Sequence, residues 1–415
     1  MNEIKKYKFC DLYDMASGIS STKGQAGHGA LFLSFGTVFN NYFLPENLID
    51  KMDTTIEEQN TFSIKKGDVF VTRTSETIDE LAMSSVALKA YPNATYSGFV
   101  KRLRPKTTGI VYDKFLAFYL RSKLFRKTMT NNATMTLRAS FNEDIFSFLY
   151  LYLPPYEEQK KIGDLLYNIE MKMLANKKIN DNLEQQAKLI YDYWFTQFDF
   201  PDENGKPYCS SGGKMVWNEQ LKRNIPENWN VVPLLKLVSW ESNSQPPKSE
   251  FVYEPKEGYV RFIQNRDYDS DTHITYIPRT KNLSIVDRFD ILMDKYGDAG
   301  AVRYGIEGAF NVALGKICVH NPNYREYIRS FLGSDGIYKF LHNSCMASTR
   351  ASLSEANLAI LNIVVPNEKI ILDYENFLHK IRVSILKNKD ETVELINLRD
   401  WLLPMLMNGQ ATIAD

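Results

Sequence analysis

The stretch RASFNEDIFSFLYLYLP at residues 138–154 returns as RASLSEANLAILNIVVP at residues 350–366, and this repetition decides the architecture. Arg, Ala, Ser, Glu, Leu and Pro recur in register. The same spacing carries on without a gap to Asn176 and Lys177 against Asn388 and Lys389, and to Leu183 against Leu395. A looser match precedes it, where KGDVFVTR at residues 66–73 resembles RFDILMDK at residues 288–295. Its spacing differs, so the two copies differ by an insertion or deletion in between.

Each copy has two parts with different hydrophobic periods. The first part is a series of short aromatic and β-branched segments broken by Gly, Pro and Asn: ALFLSFGTVF (30–39), VFVTR (69–73), SVALKAY (85–91), VRFIQN (260–265), HITYI (273–277) and GKICVH (315–320). These read as strands. Shorter helical pieces such as residues 115–129 lie between them. The second part opens at Pro154-Pro155 and at Pro366, then becomes a long helical pattern expected to be free of proline.

The helical parts carry heptad spacing. Ile162, Ile169, Asn176, Leu183 and Ile190 are seven apart, with Leu165, Ile179 and Tyr193 as expected intermediate positions. In the second copy Tyr374, Ile381, Asn388, Leu395 and Leu402 do the same, with Phe377, Leu398 and Met405 in support. Such stripes predict two helices of roughly 40 residues, each about 60 Å long. A lone helix would expose its apolar edge, so the two should pair, with Asn176 facing Asn388 as a register-fixing polar pair. Residues 198–238 hold Pro201, Gly205, Pro207, Ser210, Ser211, Gly212 and Gly213, the signature of a connector that lets the second helix run antiparallel to the first. The expected class is therefore α+β: two mixed α/β domains in a tandem pseudo-two-fold repeat, separated by two long antiparallel coiled-coil helices. The expected divisions are 1–154, a first helix at 155–196, a linker at 197–224, a second domain at 225–366 and a second helix at 367–415.

Composition narrows the class. The chain has 415 residues, 50 basic against 50 acidic side chains, 44% hydrophobic and 13% aromatic residues, which excludes general disorder and supplies more than one core. Cys10, Cys209, Cys318 and Cys345 form no CxxC pair, so neither a disulfide scaffold nor a zinc ribbon is expected. With no signal-like start and no apolar run of spanning length, a cytoplasmic protein without membrane contact is expected. Residues 1–150 hold 19 basic and 15 acidic side chains, a surplus too slight for binding dominated by phosphate neutralisation. A DNA ligand then requires the charge to gather on one face, for which Lys101, Arg102, Arg104, Lys106 and the group Arg121, Lys123, Arg126, Lys127 are candidates, or to be shared with partners.

In its combination of FDFPDENGKPYCSSGGKMVW (198–217), IPENWNVVPLLKL (225–237), LPPYEEQKKIGDLL (153–166), the repeated RAS, and NLRDWLLPMLMNGQ (397–410), the chain resembles the specificity subunits of type I restriction-modification systems. The resemblance spans nearly the whole chain, although the first copy lacks an IPxxW opening and starts at Lys8-Phe9-Cys10-Asp11-Leu12. It implies two target-recognition domains joined by two antiparallel helices, reading a bipartite DNA target with one half-site per domain. It also implies two methylation subunits, restriction subunits in the full complex, and S-adenosylmethionine, ATP and Mg in those partners, with no cofactor in this chain. Base edges need donors and acceptors, and phosphates need cations. The candidates are Arg73, Thr74, Lys101, Arg102, Arg138 and Ser140 in the first domain, and Gln264, Arg266, Lys295, Arg303, Asn311 and Arg350 in the second. Arg138 and Arg350 read equally well as braces between domain and helix. Tyr191, Trp194, Phe195, Trp401 and Leu406 are candidate partner contacts.

A catalytic site is not expected. Leu153-Pro154-Pro155-Tyr156 has an apolar residue where an adenine methyltransferase needs a hydrogen-bonding one, Asn321-Pro322-Asn323-Tyr324 breaks the second proline, and no glycine-rich turn accompanies either. Gly315-Lys316-Ile317 lacks the rest of a phosphate loop. His28, His273, His320, His342 and His379 have no metal-binding spacing, and Asp267, Asp269 and Asp271 read as a solvated turn, so no metal is expected. Two other classes stay open: a stand-alone DNA methyltransferase, and a coiled-coil scaffold without sequence-specific DNA contact.

Overall fold

The computed structural model describes residues 4–20, 22–77, 80–132, 139–269, 273–346 and 352–413. They form two compact units, the first from residues 1–175 and 391–415, the second from residues 176–390. Each unit is one α/β domain packed on a segment of each long helix.

In the first unit a four-stranded antiparallel sheet has the order Tyr13–Ser17, Val100–Pro105, Val69–Thr72, Ser84–Val86. In the second unit the order is Val238–Ser242, Leu314–Val319, Ile291–Asp294, Val302–Arg303. The sheets are the same element for element. All four residues of Val69–Thr72 and of Ile291–Asp294 are buried, as expected for a strand covered on both faces. A second small sheet in each unit carries one parallel pairing, Phe32 with Thr95 and Phe262 with Ala309. Corresponding strands start at 13 and 238, 69 and 291, 100 and 314, so the insertion inferred from sequence is spread over several loops.

The opening strand forms in both copies. Lys5–Lys8 pairs antiparallel with Tyr150–Leu153, as Asn230–Pro233 does with Asn362–Val365. The missing IPxxW opening thus costs the first copy nothing in topology, because Phe9 and Leu12 fill the core that Leu234 fills in the second. ALFLSFGTVF is not one strand: Ala26–Leu33 ends where Ser34 caps the helix Phe35–Asn40 by accepting the Thr37 amide.

The long helices are Tyr156–Tyr191, 36 residues followed by the π turn Asp192–Thr196, and Glu368–Met407, 40 residues. The second is not free of proline, since Pro404 lies within its last turn. Within each unit the two helix segments pack together, Ile162 and Leu166 sharing a core with Leu406 and Met407, and Ala187 and Tyr191 sharing one with Tyr374, Leu378, Ile381 and Ile385. The heptad positions Ile162, Ile169, Asn176 and Ile381 are buried, while Leu183, Ile190, Asn388, Leu395 and Leu402 are half-buried.

The intermediate positions fall elsewhere than the sequence suggested. Leu165, Ile179, Tyr193, Phe377 and Leu398 are exposed. At six places the residue four positions after a heptad member is buried: Leu166, Met173 and Ala187 in one helix, Leu378, Ile385 and Leu406 in the other. The reason is the direction of the partner's apolar surface, to which the spacing of the stripe is blind. Asn176 and Asn388 meet across the seam. Asn176 Nδ2 donates to the main-chain carbonyl of Asn388 at 3.4 Å, and Asn388 Nδ2 donates to Oδ1 of Asn180 at 2.8 Å.

The connector is itself structured. Asp199 accepts the amide and hydroxyl of Ser210, Phe200 stacks between Tyr208 and Trp229, and the hairpin Met215–Asn218 with Arg223–Pro226 follows. Phe198, Phe200, Ile225 and Trp229 are buried in the core of the second unit. Apolar residues between the glycines and prolines thus give the segment a packing role as well as a connecting one.

Gly163 and its repeat counterpart Glu375 show how the copies diverge. A Cβ at Gly163 would sit 2.6 Å from the Phe115 amide nitrogen, so glycine is what lets the helix Asp113–Tyr119 approach. Glu375 instead reaches the equivalent helix Arg325–Leu332 with its carboxylate, accepting the Glu326 amide at 2.8 Å.

Candidate DNA interface

Two equivalent backbone positions, Arg73 and Lys295, stand just past the ends of the central strands. The Arg73 N–H donates to Phe99 O at 2.8 Å, and its carbonyl accepts from the Phe141 N–H at 2.7 Å. The Lys295 N–H donates to Ala313 O at 2.8 Å, and its carbonyl accepts from the Leu353 N–H at 3.0 Å. Each domain therefore presents one cation from the same rigid frame. Arg73 is exposed and Lys295 half-exposed.

The turn that receives each amide is also duplicated. Ser97 and Asn311 donate their amides to Leu33 O and Ile263 O, both at 3.0 Å. Their side-chain oxygens accept the amides two residues on, Phe99 N–H to Ser97 Oγ at 3.2 Å and Ala313 N–H to Asn311 Oδ1 at 3.0 Å. Asn311, expected to read bases, is thus committed to holding a turn.

Other expected contacts are brought to the same place. Ser140 pairs with Thr74 across a two-residue ladder next to Arg73. Lys101 lies on the neighbouring strand, 9% exposed, with Nζ donating to Ser17 Oγ at 2.8 Å. Burial lowers the pKa of its ammonium, and the positive charge of Arg73 lowers it further. Arg266 is exposed, with Asp267 3.9 Å away. Arg138, Arg350 and Asp271 lie outside the described residues.

Several candidates are occupied with structural tasks. Arg102 donates to Ser63 O at 3.0 Å and lies over the Tyr96 ring. Gln264 donates to Thr275 Oγ1 at 3.1 Å and caps the short helix Asn265–Tyr268, whose Asp267 accepts the Gln264 amide. Arg303 donates to Asp294 Oδ2 at 2.8 Å, and burial holds that carboxyl above its ordinary pKa even with the guanidinium beside it. The anticipated basic face disperses for the same reason. Arg104 forks onto the fully buried Asp68 at 2.6 and 2.7 Å, and Arg121 donates to the carbonyls of Ser84, Val38, Phe39 and Asn41. Half-buried guanidinium groups go to acceptors that lack water, and sequence does not reveal which ones these are.

Sequence reading missed a second duplicated feature. In the first unit Tyr42 lies under both Arg121 and Arg399, at 4.9 and 5.5 Å, with Arg399 paired to Glu170 at 3.2 Å. In the second Tyr304 lies under both Arg329 and Arg382, at 4.6 and 4.9 Å, with Arg382 paired to Glu184 and, at 3.0 Å, to the fully buried Glu326. Each cluster bolts a domain to its own helix segments. Tyr42 and Tyr304 do not match in sequence register, so no alignment signal marks them. Of the suggested partner contacts, Tyr191, Phe195 and Leu406 are buried in their units' own cores, Trp194 is half-buried, and Trp401 is 63% exposed. Among the described residues no cluster of His, Cys, Asp and Glu is arranged to hold a metal ion, and no helix is long and apolar enough to cross a membrane.

A repeated α/β reading head, each copy offering a cation from an identical frame and each seated on paired helices, defines a duplicated recognition protein. The chain belongs to the family of the type I restriction modification DNA specificity domain, whose family model matches residues 32–185 and 226–400, one stretch in each copy. It is 22% identical to the type I restriction enzyme HindI specificity subunit of Haemophilus influenzae, over 99% of this chain and 100% of that one. It is 23% identical to the type I restriction enzyme MjaIX specificity subunit of Methanocaldococcus jannaschii, over 80% of this chain and 76% of that one. The crystal structure of the type I restriction-modification S subunit from M. genitalium shares the fold, with a TM-score of 0.63 and 14% identity over 98% of this chain and 96% of that one. The protein is thus a specificity subunit, the non-catalytic component that recognises the DNA target.

Proposed function

We propose that this chain reads a split DNA target, one half-site per domain, with the paired helices setting the gap, and directs adenine methylation and cleavage by partner subunits. The observation that carries this reading is the equivalence of Arg73 and Lys295, which gives each head a cation at the same position of the same frame. Cations on fixed backbone position a head on phosphates, while the surrounding loops select bases. Thr74 and Ser140 beside Arg73, and Arg266 in the second domain, are the further residues proposed to face DNA. Two methylation subunits, and restriction subunits in the full complex, supply the chemistry with S-adenosylmethionine, ATP and Mg. Exposed apolar residues of the long helices, Trp401 and Phe377 among them, suit contact with such partners.

Methylation-site mapping of DNA from cells expressing this chain with its methylation subunit tests the proposal. The expected result is a motif of two short half-sites separated by a fixed gap. A continuous short motif, or methylation without sequence preference, overturns it. Binding of S-adenosylmethionine by the purified chain alone points instead to a stand-alone methyltransferase.

A further inference from the structure

The frames of the two heads coincide, but the tips of their turns do not. Residues 97–99 read Ser-Gly-Phe and residues 311–313 read Asn-Val-Ala, held by the same hydrogen bonds. At the position whose carbonyl takes the Arg73 or Lys295 amide, the first head has a phenyl ring and the second a methyl group. Phe99 is 64% exposed. Its neighbour cannot share the task, because a Cβ at Gly98 would lie 2.9 Å from Ile19 O.

Phe99 does not stand alone. It borders a groove of about 420 Å³, open to solvent, whose other walls include Phe35, Phe39 and Thr74. The Phe35 and Phe39 rings stack there, with centroids 5.8 Å apart and planes inclined by 19°. Glu76 and Glu80 also line it. The charge of Glu80 repels a phosphate from the groove itself, whereas the exposed Arg73, adjoining Thr74, offers a phosphate contact beside it. A base edge at the groove with its backbone on Arg73 satisfies both. Among base edges, the one that suits an exposed ring is the C5-methyl of thymine in the major groove, which is read by apolar contact.

Resting on the split-target reading above, we infer that Phe99 is a specificity-determining residue that takes the C5-methyl group of one thymine in the half-site read by the first domain. Ala313 at the equivalent position presents no ring, so the effect is confined to one half-site.

The test uses the chain in complex with its methylation subunit. The wild-type motif is mapped first, then duplexes carrying deoxyuridine in place of each half-site thymine are titrated against wild type, F99A and F99L. For wild type, loss of the methyl group at one position is expected to weaken binding about fourfold. F99A is expected to be indifferent at that position and to methylate sites bearing other bases there, with the second half-site and the gap unchanged. F99L, which keeps an apolar contact, is expected to retain the preference. Because the Phe99 side chain faces solvent, its truncation leaves the core intact. A split motif with no deoxyuridine-sensitive thymine, equal sensitivity in wild type and F99A, or uniform weakening of F99A on every site overturns the inference alone. Absence of a split motif in wild type overturns the underlying reading and the inference with it.

Discussion

The side-chain amide of Asn388 donates to Oδ1 of Asn180 at 2.8 Å, one helical turn beyond Asn176, its counterpart in the repeat. Asn180 in turn donates to Ile385 O at 3.2 Å, and Asn176 to Asn388 O at 3.4 Å. The helix pair of the second unit is thus held in register by a chain of amides.

Replacing Asn388 by Leu strands the Asn180 oxygen in a half-buried seam and should cost about 1–2 kcal/mol. The double variant N180L/N388L should recover most of that loss, since two apolar groups need no partner. Thermal unfolding midpoints of the three proteins, followed by circular dichroism, check the ordering. A double variant less stable than N388L contradicts it.

Arg382 holds Glu326, which is fully buried, at 3.0 Å and also pairs with Glu184. R382M leaves Glu326 with Arg329 at 3.1 Å as its remaining counter-charge and should destabilise the second unit by about 3 kcal/mol. E326Q combined with R382M should be no milder, because it takes the counter-charge from Arg329, which is itself buried. The comparison is read from urea midpoints of the unit that melts first.

Glu375 gives the second unit a pH dependence. Burial, and secondarily the negative charge of Glu326, push its carboxyl up from 4.5 to about 7, against the hydrogen bond from the Glu326 amide. The folded state therefore holds a proton that the unfolded chain has released above pH 4.5. That contribution to stability is complete below about pH 4.5 and is lost as pH rises through about 7. Melting midpoints should fall between pH 5 and 8 from this source, and E375Q should flatten that part of the profile. An unchanged slope in E375Q rules the group out.

Arg73 and Lys295 should act as phosphate contacts. R73A and K295A should each lower affinity for all duplexes and reduce the slope of log affinity against log salt by about 0.9, without changing the motif. R303A should behave differently, destabilising the fold because it leaves the buried Asp294 without its guanidinium. Salt titrations of the partner complex on specific and random duplex separate the two outcomes.

Much of the fold was legible because it rests on periodicity and repetition. The match of residues 138–154 to 350–366 marks equivalent junctions between domain and helix, and the heptads of Ile162 and Ile381 mark buried seams. The site was less legible. Arg102, Arg303 and Asn311 were sound chemical candidates, but each is bound to a neighbour distant in sequence or committed to its own turn. Phe99 gave no signal because one aromatic residue in a strand-rich region looks like core.

By itself the sequence determined a duplicated α+β chain with paired helices, since hydrophobic period and repeat register are properties of a line of residues. Tertiary structure decided which polar groups remain available. Whether an arginine faces solvent or spans a set of buried carbonyls, as Arg73 and Arg121 do, depends on acceptors that folding deprives of water. It also decided that buried helix positions such as Leu166 and Leu378 follow a heptad member by four residues, because the direction of a side chain has meaning only against the surface that receives it.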